Sequence, residues 1–67
     1  MTYTKQLIRD LMGYVNQQIK NNDALVEYIV KDKEHCIEKI GVIENVLKEN
    51  KMYANLLDIL MNTETID

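Results

Sequence analysis

The chain contains no proline, serine, phenylalanine or tryptophan, and only two glycines in 67 residues. Turn-forming residues are therefore scarce. A fold of many short strands needs a turn roughly every 8–12 residues, and this sequence lacks the residues to build them. Gly13 and Gly41 stand far apart, so a glycine-rich loop that cradles phosphate is also excluded. Cys36 is the sole cysteine; no disulfide framework can form within one chain, which points to a reducing compartment. No stretch approaches the run of about 18 apolar residues that a membrane span requires. Arg9 and Asp10 interrupt the apolar residues near the N-terminus, so no signal peptide is expected and the location expected is cytoplasmic.

Basic charge is lacking as well. Eight Lys and Arg stand against eleven Asp and Glu, a net charge of −3. Binding to nucleic acid draws most of its affinity from neutralising phosphates, and no basic patch is visible. The charge is uneven, because Lys5, Arg9 and Lys20 outnumber Asp10 over residues 1–21 and acids outnumber lysines beyond them. A weakly basic first helix meeting an acidic body, within one chain or between subunits, is one consequence of that pattern.

What is present is aliphatic. Apolar residues make up 46% of the chain, too many for a disordered tail, and the length allows one core at most. With Lys5 as position a of a heptad, the a row is Lys5, Met12, Ile19, Val26, Lys33, Ile40, Leu47, Ala54 and Met61. The d row is Ile8, Val15, Asn22, Ile29, Cys36, Ile43, Asn50, Leu57 and Glu64. Position g adds Leu11, Leu25, Val46, Tyr53 and Leu60, and position c adds Leu7, Tyr14, Tyr28, Val42 and Leu56. On a helix, c, g, d and a adjoin and form one broad apolar stripe. A two-stranded coiled coil needs only a and d. A stripe this wide must meet more than one neighbour.

Three places are candidates for helix ends. Asn21-Asn22-Asp23 offers a stop and an N-cap, and Lys48-Glu49-Asn50-Lys51 offers an Asn for a C-terminal cap. A faint echo at a 28-residue spacing, Gly13-Tyr14-Val15 to Asn22 against Gly41-Val42-Ile43 to Asn50, favours ends near both asparagines. The polar run Lys31-Asp32-Lys33-Glu34-His35 has no Gly or Pro, so a helix is expected to pass through it. The expected elements are helices at about 4–20, 24–49 and 52–62, the second about 39 Å long. Thr2 or Thr4 would cap the first. Residues 1–62 then form a single helical domain and residues 63–67 a frayed tail. The expected class is all-α, with two to three helices around a long central one. They would form a helical hairpin or small bundle, completed by self-association because a chain this short has no disulfide or metal to staple it.

No catalytic, cofactor-binding or metal-ligating set is expected. His35 and Cys36 supply two ligands where a structural zinc needs four, and Cys36 at d reads as a small buried hydrophobe. The carboxylates Glu34, Glu38, Glu44 and Glu49 lie among lysines as a solvated face. Gly13 and Gly41 on the otherwise polar b row either permit a close approach or are tolerated at a surface cost of about 1 kcal/mol each. The functional expectation is a small acidic helical protein-interaction module, not an enzyme. It would be a regulator, inhibitor or assembly factor of the kind phages and mobile elements encode, docking an apolar helix face on itself and on a protein target. The residues expected at the interface are Tyr28, Ile29, Cys36, Ile40, Ile43, Leu47, Tyr53 and Leu57. The alternatives are a structural homo-oligomeric scaffold or a small dimeric helix-turn-helix-like DNA-binding regulator. The second would read DNA through Gln6, Arg9, Asn16, Gln17, Lys20 and Asn21.

Overall fold

The computed structural model describes residues 3–66; Met1, Thr2 and Asp67, including the alternative cap at Thr2 and the last residue of the expected tail, lie outside the described residues. Two long helices pack against each other as a hairpin, α1 over Lys5–Lys31 and α2 over Ile40–Met61. No strand occurs among the described residues. The molecule is a rod, 52 × 15 × 14 Å.

Thr4 starts α1: its backbone is extended and its hydroxyl accepts the Leu7 N–H at 3.1 Å, satisfying one of the donors that a helix start leaves open. Lys31 lies in the last turn, where a cation favours the helix dipole. α2 ends with its carbonyls occupied. The Asn62 Nδ2 group donates to the Asp58 carbonyl at 2.8 Å, and the Thr63 hydroxyl donates to that of Ile59 at 2.7 Å. Residues 63–66 leave the helix, and the Ile66 N–H donates to the Tyr3 carbonyl at 3.0 Å. Both chain ends thus meet at the end of the rod away from the turn.

The helix boundaries differ from those expected. α1 runs unbroken through Asn21-Asn22-Asp23, and α2 runs unbroken through Lys48–Lys51. The long central helix and the third helix do not form. The chain instead reverses at the polar run through which a helix was expected to pass. Asp32 leaves helical geometry at φ −87°, ψ 82°. Its carboxylate pairs with the His35 Nδ1 at 3.0 Å, and its carbonyl accepts the His35 N–H at 3.2 Å. One 3-10 turn, Ile37–Lys39, then leads into α2.

The physical reason is tertiary. Asparagines end helices because their side chains compete for the backbone, but here those side chains are engaged elsewhere. Asn22 Nδ2 donates to Asn50 Oδ1 at 2.9 Å and to Glu49 Oε1 at 3.3 Å, while Asn50 Nδ2 donates to Asp23 Oδ1 at 3.0 Å. The polar d positions face each other across the hairpin as one layer. A turn at the chain's midpoint also lets the two halves cover each other along their full length, which breaks at Asn22 and Asn50 would not.

Counting outward from the Asn22–Asn50 layer in an antiparallel pair sets Val15 opposite Leu57, Met12 opposite Leu60, Ile19 opposite Tyr53 and Val26 opposite Val46. The packing agrees: Ile8, Val15 and Leu60 form a buried cluster against Tyr3, Met12, Ile19, Tyr53 and Leu57. Ile29 and Val46 are the other buried residues among those described. α1 therefore contributes its a and d rows and α2 its d and g rows. In both, the spacing alternates between three and four, the pattern of coiled-coil packing.

Candidate interaction face

The seam uses two rows from each helix, and the stripe on each helix is wider than that. The surplus is exposed. In α1 the c and g rows hold Leu7, Leu11, Tyr14, Leu25 and Tyr28, all exposed and the last at 73%. Gln18 and Asn21 fill the middle of the same row, so it too alternates by four and three. In α2 the c and f rows hold Val42, Met52, Leu56 and Ile59, again exposed.

These two surpluses lie on the same side of the rod. The seam of α1 faces α2, and its c/g row is turned about 110° from it, at 100° per residue. In the antiparallel partner, the c row of α2 is turned to the same side. The contacts agree. Glu49, at c of α2, accepts from Asn22 and from the Tyr53 hydroxyl, and Tyr14, at c of α1, is close enough to act on Tyr53. Asn50–Asp23 marks the opposite side. There Arg9, Met12, Leu60 and Met61 help line an open depression of about 340 Å³ at the free end of the rod.

The electrostatics of the apolar side centre on Glu49. Its hydrogen bond to the Tyr53 hydroxyl is the main cause that raises the Tyr53 pKa above its ordinary 10.0; partial burial and the nearby charges of Glu49 and Tyr14 push the same way. Glu49 is thus the one acid of the c rows, set beside the polar Asn22–Asn50 layer. Among the described residues, no group of three or more His, Cys, Asp or Glu gathers as a metal would need. No helix among the described residues is long and apolar enough to cross a membrane.

The residues singled out from the sequence fall into three sets. Ile29 is 4% exposed, and Ile43, Tyr53 and Leu57 are half-buried in the seam, so the hairpin itself uses them. Cys36 is half-buried at the turn. Tyr28, Ile40 and Leu47 are exposed, but they do not share a face: Tyr28 lies on the c/g side, whereas Ile40 and Leu47 lie on the a row of α2, on the other flank. The structure brings forward Leu7, Leu11, Tyr14, Leu25, Val42 and Leu56 instead. The signal for these was their membership of the c and g rows; what it lacked was the pairing partner that decides which rows are consumed.

The fold and this face define an all-α helical hairpin with an unsaturated second apolar side. No protein family, curated protein or solved structure matches the chain.

Proposed function

We propose that this chain is a protein-interaction module that acts by docking the apolar side formed by Leu7, Leu11, Tyr14, Leu25 and Tyr28 of α1 with Val42 and Leu56 of α2. The observation that carries the reading is the second row of α1. It keeps heptad spacing along most of the helix and is left uncovered by the hairpin. Single exposed apolar residues need no explanation, but contiguous ones mark interaction sites. Two tyrosines on this side supply the amphipathic contact area typical of interface anchors. The module would act by steric or allosteric contact, without chemistry of its own. A helix-turn-helix reading has little support, because that motif sets two helices at roughly 90–120° while these run antiparallel, and the net charge is −3.

Site-specific photo-crosslinking in cells tests the proposal. A photoreactive residue replacing Tyr14 or Tyr28 should give discrete protein adducts. The same residue at Gly13 or Lys48, on the polar b row, should give none. Equal labelling from both sides, or none from either, would refute docking through this face.

A further inference from the structure

We infer that the occupant of this face is a second copy of the chain, paired so that α1 lies antiparallel to the α1 of its partner about a two-fold axis passing between Ile19 and Lys20. The inference rests on the docking reading above and adds the partner and the register.

The c/g row of α1 is complementary to its own reverse. Antiparallel coiled-coil seams set the two seam rows against each other, here g against c. About the stated axis, Leu11 meets the partner's Tyr28, Tyr14 meets the partner's Leu25, and Gln18 meets the partner's Asn21. Each pair occurs twice. From Leu11 to Tyr28 apolar residues face apolar ones, and the amides face amides at the centre, where their hydrogen-bonding groups satisfy each other; Leu7 falls opposite the partner's Asp32, outside the apolar pairs. The isologous arrangement, one patch meeting itself, is what two-fold symmetry requires.

The charges on the flank fit the same axis. Asp10 and Lys31 are the two charged residues of the f row of α1, which borders the c/g row. Both are exposed, and Asp10 accepts a local hydrogen bond from the Gln6 amide at 2.8 Å. In the antiparallel register, Asp10 of each copy comes beside the partner's Lys31, giving two opposite-charge pairs at the two ends of the interface. A parallel pairing would instead set the f row of each copy beside the d row of the other and on the opposite flank from the partner's f row, so Asp10 and Lys31 would not meet. The size also suits: a side of the rod 52 Å long and 15 Å wide is of the order of the 800 Å² or so that each partner of a stable complex covers. Pairing two hairpins on these sides brings four helices together and covers the c/g row of each α1.

Light scattering after size exclusion tests the pairing. The wild-type chain should show dimer mass at tens of micromolar. Asp10→Lys turns both flank pairs into repulsions and should weaken the dimer by about tenfold in low salt, an effect that shrinks as salt is added. Adding Lys31→Asp to it should restore the dimer. Because either change also touches the helix dipole, a cross-link gives a second readout. In a Cys36→Ser background, Gln18→Cys with Asn21→Cys should oxidise to a covalent dimer, and Gly13→Cys with Asn16→Cys, on the other side of α1, should not. Monomer mass at every concentration would overturn self-pairing, yet would leave docking on a different protein to be judged by the photo-crosslinks. A dimer with no rescue by the charge swap and no selective cross-link would overturn the register.

Discussion

At the residue scale, the Asn22–Asn50 layer is the feature that sets the hairpin's alignment. It is half-buried, and the hydrogen bonds tie each amide to an acid or amide across the seam. Removing one side leaves the other short of partners in a partly desolvated place. Asn22→Ala should therefore destabilise the hairpin by about 1 kcal/mol. Changing both to Leu should cost less than the single change, or stabilise, at the expense of a unique register. Urea unfolding of the singles and the double checks this; additive effects would mean the two side chains are uncoupled. Gly13 and Gly41 are simpler. A Cβ added at either meets nothing within 4 Å, and neither has a positive φ, so no close approach accounts for them. Gly13→Ala and Gly41→Ala should each stabilise by about 0.5–1 kcal/mol, seen as a higher urea midpoint. The Tyr53 hydroxyl adds a pH dependence. Its folded pKa is raised because the protonated phenol donates to Glu49. That contribution is present below pH 10 and is lost as the pH rises through the folded pKa. Glu49→Gln should bring the Tyr53 ionisation back toward 10.0, which a near-ultraviolet titration compared with a Tyr53→Phe control would resolve.

At the scale of the element, the same apolar stripe holds residues of opposite consequence. Ile29 is buried at 4% exposure, and its neighbour Tyr28 is 73% exposed. Ile29→Ala should cost about 2–4 kcal/mol, enough to unfold so slender a hairpin. Tyr28→Ala should leave hairpin stability within about 0.5 kcal/mol while reducing association; circular dichroism melts of the two variants at low concentration separate them. This contrast also shows what could be read from the sequence. Period and composition were enough for helices without strands, because the spacing of Ile8, Val15, Ile29, Val46 and Leu60 is legible one residue at a time. The position of the turn was not, since a local rule ranks Asn21-Asn22-Asp23 above Lys31–His35. Asp32 breaks α1 with help from His35, and Asn22 is kept helical by Asn50, 28 residues away. The candidate face was half-legible for the same reason. The c and g rows could be counted, but Ile29, Tyr53 and Leu57 could be assigned to the seam, and Leu11 and Tyr14 to the outside, only once the register was known.

For the whole molecule, the decisive quantity is how stability depends on concentration. Among the described residues five side chains are buried, and none falls below 2% exposure, so a single hairpin draws little from its core, while its second side keeps apolar area in water. If covering that side contributes to folding, unfolding is coupled to dissociation, and mass action makes the apparent stability rise by about 1.4 kcal/mol of dimer for each tenfold increase in concentration. For a chain of this size that corresponds to a shift of a few degrees in the melting midpoint. Leu11→Glu provides the matching variant. Leu11 is already 39% exposed, so the change should disturb the isolated hairpin little, but it sets a carboxylate against the partner's Tyr28 in place of an apolar contact, twice in each dimer. The expected result is a midpoint that climbs with concentration for the wild type and stays flat for Leu11→Glu, with the two curves converging at high dilution. A flat wild-type curve would mean that the hairpin folds on what its own seam supplies, and the exposed side would then have to be explained by a different protein.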